Sequence, residues 1–119
     1  MTISSEALAK EIYTAAQDVK AEDTVVLDLR GLTNFTDLFV IATGRSDRQV
    51  QAIADRIIEN LREKKLKPMG IEGYDTGHWI LLDFGGVIAH IFYGETRTFY
   101  DLEELWSDAP RIEFTEDVA

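Results

Sequence analysis

The stretch GHWILLDFGGVIAHIFY, residues 77–93, decides the fold of this chain, because two apolar runs meet in it at a pair of glycines. A Gly-Gly pair between such runs is typical of a β-hairpin with a two-residue turn. The favoured turn needs positive φ at both central residues, and glycine adopts positive φ without strain. The stretch therefore predicts two antiparallel strands joined by Gly85 and Gly86.

The predicted turn also sets which residues face one another across the hairpin. One face is wholly apolar and is expected to be buried; its cross-strand pairs are Leu82 with Ala89 and Ile80 with Ile91. The other face mixes large aromatic side chains with a carboxylate and an imidazole; its pairs are Asp83 with Ile88, Leu81 with His90, and Trp79 with Phe92. We therefore look for function on this second face or at its rim.

The first half of the chain alternates helical and strand patterns. Residues 5–20 have apolar side chains at helical spacing, with Ser4 or Ser5 as N-cap. Residues 24–30 alternate as a strand does, and residues 38–42 form an unbroken apolar run that is typical of a central strand covered on both faces. This half therefore predicts a helix followed by two strands.

The second half begins with the clearest helix, which Ser46 and Gln49 open as a capping box. A short strand over residues 69–72 precedes the hairpin. After the hairpin, Thr98 is expected to cap a last short helix. The apolar residues of that helix are expected to share one face: Phe99, Leu102, Leu105 and Trp106.

These elements predict an α/β fold with a mixed five-stranded sheet flanked by three helices. At 119 residues, of which 45% are hydrophobic, the chain suits a single domain over residues 1–107. Residues 108–119 are acidic and poor in apolar side chains, so we expect them to form a loosely held tail.

The chain is strongly acidic, with 12 Lys and Arg against 22 Asp and Glu and a formal net charge of -10 at pH 7. This charge repels phosphate backbones, so direct nucleic-acid binding is disfavoured and a basic protein partner is favoured. The absence of cysteine excludes disulfides and thiolate metal sites. There is no secretory signal and no apolar run of the roughly 20 residues that span a bilayer, so we expect a cytoplasmic protein without membrane contact.

The sequence lacks the motifs of common catalytic sites. No GxGxxG or GxxxxGK pattern occurs, so Gly44 is interpreted as a strand-to-helix turn. A nucleotidyltransferase would need two carboxylates on one strand to bind Mg2+, and the nearest such spacing, Asp101 and Glu103, falls on the last helix. Asp83 and His90 are diagonal neighbours, which we interpret as a structural polar pair. We predict no catalytic residue, cofactor or metal.

Four aromatic residues and one histidine are candidates for a partner surface. Trp79 and Phe92 face each other at the open end of the hairpin, where core packing and an interface fit the sequence equally well. Core packing and an interface are also both compatible with Tyr100 and Trp106 on the last helix. His78 lies at a strand start beside a loop, where it could contact a partner. Such an aromatic face would also allow a homodimer.

Four segments, in this order and spacing, resemble the ribosomal silencing factor family, also called the Iojap family. They lie between Asp28 and Trp106 and read TDLFVIATGRSDRQVQAIAD at 36–55, GIEG at 70–73, WILLDFGGVIAHIF at 79–92 and YDLEELW at 100–106. The resemblance implies a nucleotidyltransferase-like core without catalytic carboxylates, in a protein that is not an enzyme.

The resemblance also implies a partner and a docking surface. It leads us to expect binding to the large ribosomal subunit through ribosomal protein fourteen, which blocks joining with the small subunit and lowers translation when nutrients are scarce. The tryptophan that opens the WILLDFG segment lies in the docking surface of the family, which implies this role for Trp79. The resemblance extends less directly to His78, Asp83 and the YDLEELW segment, with Tyr100, Asp101 and Trp106. The hairpin register adds Phe92, which faces Trp79.

Overall fold

Six strands and four helices follow one another along residues 3–114, the part of the chain that the computed structural model describes. The last five residues of the expected acidic tail, 115–119, lie outside this range. In chain order the elements are α1 Ser5–Asp18, β1 Glu22–Asp28, β2 Leu38–Gly44, α2 Asp47–Glu63, β3 Gly70–Glu72, β4 Trp79–Asp83, β5 Val87–Tyr93, α3 Gly94–Tyr100, α4 Leu102–Leu105 and β6 Arg111–Ile112.

The six strands form one mixed sheet in the order β3-β4-β5-β2-β1-β6. β2 and β5 run parallel, and the other neighbouring strands are antiparallel. The predicted mixed sheet flanked by helices is confirmed, but the predicted count of five strands is wrong. The sixth strand, β6, pairs with Val26 and Leu27 of β1. It has only two residues, too few to show the alternation by which a strand is recognised in a sequence.

The hairpin of β4 and β5 has the predicted register. All five predicted cross-strand pairs are present, and Trp79 lies opposite Phe92. The turn differs in one respect, because Gly85 has φ +86° whereas Gly86 is outside the positive range. Positive φ at the first central residue alone is typical of a type II′ turn, which keeps the same register.

Helices α1 and α2 cover one face of the sheet and enclose the larger core. Ser4 caps α1, and the Ser46 hydroxyl caps α2 by accepting a hydrogen bond from Gln49 N at 3.0 Å, as predicted. The apolar face of the hairpin is buried here, with no side chain more than 1% exposed: Ile80, Leu82, Ala89 and Ile91. This face of the sheet is therefore sealed against a partner.

The opposite face of the sheet carries a smaller cluster, which short elements cover. Its buried members are Leu27, Leu29, Phe39, Ile41, Phe92 and Ala109. Trp79 and Trp106 are partly buried against them. β2 lies between the two clusters, so the prediction that both of its faces are covered is confirmed. Because the covering elements are short, aromatic side chains form part of the outer surface on this side.

The last predicted helix is divided into α3 and α4. The division falls at Asp101, which has φ +46°. α3 begins at Gly94, so the predicted cap is wrong: the Thr98 hydroxyl lies inside α3 and donates a hydrogen bond to Gly94 O at 3.3 Å.

The division also separates the residues that were expected to share one apolar face. Leu102 and Trp106 pack against the smaller cluster, whereas Phe99 and Leu105 are 81% and 71% exposed. That prediction assumed one continuous helix and is wrong, since a residue in the left-handed region changes the direction of the chain. Two large apolar side chains are consequently turned towards solvent.

Candidate partner-docking surface

A hollow of about 580 Å³ opens beside Trp79, at the end of the hairpin farthest from the glycine turn. Four of its lining residues carry aromatic or imidazole rings: His78, Trp79, Phe99 and Tyr100. The lining is completed by Thr76, Glu95 and Thr96. We name this feature the aromatic hollow. It forms where the start of β4 meets α3.

Trp79 is packed on one side and borders the aromatic hollow on the other. Its ring stacks on Phe92 with the centroids 4.9 Å apart, and the Tyr100 ring lies 4.7 Å away. Phe92 is fully buried and supports the indole from below. Core packing and an interface, the two roles that the sequence left open for Trp79, are thus both compatible with its position.

The loop of residues 73–78 fixes the point where β4 begins. Gly77 N donates a hydrogen bond to Gly73 O at 3.2 Å, which closes the loop on itself. Tyr74 ties the loop to α2, because its hydroxyl donates to Asp55 at 2.9 Å and its carbonyl accepts from Gln51 Nε2 at 2.8 Å. Since α2 is packed into the larger core, the backbone that carries the tryptophan starts from a fixed position.

His90 lies beneath the indole and binds it directly. Trp79 Nε1 donates a hydrogen bond to His90 Nδ1 at 3.1 Å. Burial lowers the pKa of His90 to about 4, so the imidazole is neutral near pH 7. The predicted pair of His90 with Asp83 is wrong, because the Asp83 carboxylate accepts a hydrogen bond from Gly85 N at 2.8 Å instead.

We expect the protein to be less stable at pH 5 than at pH 7 because of His90. Its pKa is about 4 in the folded protein against an ordinary value of 6.5, so between these values the unfolded chain binds a proton that the folded chain does not. Stability therefore falls as the pH is lowered, by about 2 kcal/mol at pH 5, since one pKa unit corresponds to about 1.4 kcal/mol. Urea unfolding at the two pH values measures this loss. The His90→Phe variant should lack it, and an equal loss in that variant would assign the effect to other groups.

The region of α3 and α4 is acidic although it contains an arginine. Arg97 Nε donates to the Glu103 carboxylate at 2.9 Å, and Arg97 Nη1 donates to Asp23 O at 2.6 Å. The hydrogen bond from Arg97 lowers the pKa of Glu103, which keeps that carboxylate charged. The arginine charge is thus neutralised within the fold, while the carboxylates of Glu95 and Glu104 remain exposed.

Residues 2–119 match the family described as RsfS, Ribosomal silencing factor during starvation. The chain belongs to the ribosomal silencing factor family. It is 38% identical to Ribosomal silencing factor RsfS of Halalkalibacterium halodurans, over 93% of this chain and 95% of that protein. It is 39% identical to the protein of the same name from Bacillus subtilis, over 91% of this chain and 92% of that protein. Protein Iojap, chloroplastic, of Arabidopsis thaliana is 41% identical over 92% of this chain and 45% of its own length.

Solved structures share the fold of this member of the ribosomal silencing factor family. A crystal structure from Bacillus halodurans has a TM-score of 0.82 at 36% identity and covers 92% of this chain and 99% of its own. A crystal structure from Chromobacterium violaceum has a TM-score of 0.86 at 32% identity and covers 98% of this chain and 97% of its own. The family and the α/β fold expected from the sequence are therefore confirmed.

Three of the residues expected at the docking surface are neither in the lining of the aromatic hollow nor the ring stacked on Trp79. Asp83 is at the opposite end of β4, roughly 13 Å away at about 3.3 Å per strand residue. Asp101 forms the break between α3 and α4. Trp106 packs against the rings of Phe35 and Phe39, each at a centroid distance of 6.1 Å. The other four suggested residues are brought together: His78, Trp79, Phe92 and Tyr100.

One exposed side chain that was not expected at the docking surface, Phe99, lines the aromatic hollow. Phe35, which is 56% exposed, lies against Trp106, outside the hollow. The spacing of the apolar residues predicts that Phe99 shares one face of a continuous helix with Leu102, Leu105 and Trp106. Phe99 is exposed because the helix breaks after Tyr100. The sequence gives no sign of this break, since a residue in the left-handed region is normally recognised by a glycine and this position is Asp101.

The described residues contain no cluster of three or more His, Asp or Glu side chains that could hold a metal ion. No helix within residues 3–114 is long and apolar enough to cross a membrane. Both findings apply to that range alone.

Proposed function

We propose that this member of the ribosomal silencing factor family binds the large ribosomal subunit through its ribosomal protein fourteen and sterically blocks joining with the small subunit. The observation that carries the proposal is the position of Trp79, which is supported by Phe92 and open to the aromatic hollow. An anchored aromatic side chain at an accessible hollow is typical of an interface hot spot. The partner itself is suggested by the resemblance of the four sequence segments to the family.

The charge of the chain supports a protein partner over ribosomal RNA. A net charge of -10 is repelled by phosphates and attracted to a basic ribosomal protein. Glu95 lies in the lining of the aromatic hollow, so the attraction acts close to Trp79. No enzymatic activity, cofactor, nucleic-acid contact or membrane contact is part of the proposal, and the proposed location is the cytoplasm.

Sedimentation and light scattering with purified ribosomal subunits test the proposal. We expect the protein to sediment with isolated large subunits and, when it is added to them first, to reduce the light-scattering increase that follows addition of small subunits. Joined ribosomes should bind the protein much less, because the protein and the small subunit cannot occupy the large subunit at the same time. Sedimentation without inhibition would contradict the block, and failure to sediment would contradict the binding.

Self-association is a second candidate use of the same surface. Phe99 and Tyr100 are 81% and 52% exposed, and accessible aromatic groups favour dimers. Sedimentation velocity at several protein concentrations would detect a dimer, and ribosomal protein fourteen should then compete with it. The nucleotidyltransferase alternative predicts Mg2+-dependent nucleotide binding, and we expect calorimetry to detect none.

A further inference from the structure

The hydrogen bond between Trp79 and His90 joins a side chain of the aromatic hollow to a group buried beneath it. The two residues are diagonal neighbours on one face of the hairpin, on β4 and β5. We propose that His90 is a positioning residue, whose Nδ1 atom holds the indole of Trp79 in the orientation that docks on a basic protein partner. This inference rests on the proposed function and adds to it the residue that prepares the docking side chain.

The protonation of the imidazole shows what a histidine supplies at this position. Because His90 Nδ1 accepts the hydrogen bond, the proton of the neutral ring is on Nε2. His90 Nε2 is buried and has no hydrogen-bond partner within the described part of the chain. A buried N–H without a partner costs stability, and a purely apolar ring would avoid this cost. The contribution that an apolar ring cannot make is the acceptor for Trp79.

The imidazole is held in place, so the acceptor has a fixed position. The Phe39 ring packs edge-on against His90 at a centroid distance of 4.4 Å, and the Phe92 ring lies nearly parallel to it at 6.2 Å. The indole is therefore fixed by stacking on Phe92 and by the hydrogen bond to His90. A side chain that is ordered before binding loses less rotational freedom when the complex forms.

The same hydrogen bond determines what Trp79 can offer to a partner. Its only donor, the indole N–H, is used within the fold. The rest of the indole has no donor to offer, and an aromatic ring attracts the ammonium or guanidinium group of a lysine or arginine where that group can reach its face. This preference agrees with the acidic lining residue Glu95 and with the net charge of the chain.

Two substitutions separate the acceptor from the bulk of the ring. His90→Phe keeps a ring but removes the acceptor, whereas His90→Asn offers an amide oxygen near the position of Nδ1. We expect His90→Phe to remain folded and to bind large subunits about three- to tenfold more weakly, the effect of one hydrogen bond. We expect His90→Asn to bind within about twofold of the parent protein. Sedimentation with purified large subunits measures both.

Indole N–H exchange, measured by NMR on the free protein, tests the hydrogen bond without the ribosome. The Trp79 indole N–H should exchange more slowly than that of Trp106 and should lose this protection in His90→Phe. Fast exchange at Trp79 in the parent protein would overturn the inference even if a variant failed to fold. Equal weakening by His90→Asn and His90→Phe would also overturn it, because the acceptor would then not be the decisive group.

The outcomes for the inference and for the proposed function can be told apart. If Trp79→Ala abolishes binding while His90→Phe binds like the parent protein, the positioning role fails and the docking role of Trp79 stands. If Trp79→Ala binds like the parent protein, the docking role fails, whatever the indole exchange shows.

Discussion

Replacing Trp79 with alanine is expected to weaken binding to isolated large ribosomal subunits by about 30-fold or more. The indole is supported by Phe92 and Tyr100 and borders the aromatic hollow. Truncation of a central aromatic anchor of this kind costs about 2 kcal/mol or more, which corresponds to about a 30-fold change in affinity. Sedimentation with large subunits gives the affinity, and light scattering gives the accompanying loss of inhibition of subunit joining.

Met69→Ala is the matched control for this prediction. Met69 is 74% exposed and lies near Gly85, at the glycine-turn end of the hairpin and away from the aromatic hollow. Removing its exposed side chain should change binding by less than about twofold, since surface substitutions away from a site cost at most about 0.5 kcal/mol. Equal effects of the two substitutions would show that binding depends on general surface hydrophobicity and not on Trp79.

Gly73→Ala is expected to cause the largest loss of stability among single methyl additions to this chain. Gly73 has φ +79°, and an added Cβ would overlap the carbonyl oxygen of Trp79. The backbone would have to move at the start of β4, in a loop that Tyr74 ties to α2. We expect the free energy of unfolding to fall by about 3 kcal/mol or more, because backbone strain and a steric overlap act together. Urea unfolding at pH 7 measures the change.

Two other glycines separate the causes of that loss. Gly31 has φ +88° but nothing within 4 Å of an added Cβ. Gly31→Ala should therefore lower the free energy of unfolding only by the cost of the strained backbone, about 1 kcal/mol. Gly70 has neither a positive φ nor a close neighbour, and Gly70→Ala should change stability by less than about 0.5 kcal/mol. If Gly73→Ala cost no more than Gly31→Ala, the loop would not be a rigid support for Trp79.

The centre of the fold could be predicted because its signals are local. The glycine turn sets the hairpin register, and one residue of slip would expose Ile80 and Leu82 to solvent, so turn and burial agree. The unbroken apolar run of residues 38–42 identified a strand covered on both faces for the same reason. The start of α2 could be predicted because Ser46 caps it through a hydrogen bond to a residue only three positions away. In each case the physical cause lies within a few residues of sequence.

The features that could not be predicted depend on contacts that are distant in sequence. β6 is held against β1 by a pairing that spans more than 80 residues, and its own two residues carry no pattern. The break at Asp101 depends on a non-glycine residue in the left-handed region, which the tertiary structure has to support. The partner of His90 was predicted wrongly because Asp83 and Trp79 are both its diagonal neighbours, and the sequence does not show that the Asp83 carboxylate accepts a hydrogen bond from Gly85 N instead.

The candidate site was therefore predictable in part. The proximity of Trp79 and Phe92 could be predicted because they are a cross-strand pair, and that of His78 because it precedes Trp79 in the chain. Tyr100 reaches the same place through the short α3, which follows β5 directly. Sequence motifs alone could not distinguish these residues from Asp83, which lies at the far end of the same strand. The structure distinguishes them because Trp79 and Asp83 are at opposite ends of β4.

The short outer strands have a consequence for how the protein meets other chains. β3 has three residues and β6 two, so the sheet offers little free backbone on which a foreign strand could be added. Part of β1 beyond β6 is also covered, since Arg97 donates a hydrogen bond to Asp23 O. Edge-to-edge polymerisation, a hazard for a protein with exposed aromatic rings, is thereby discouraged. We therefore expect a partner to be recognised by side chains and not by an added strand.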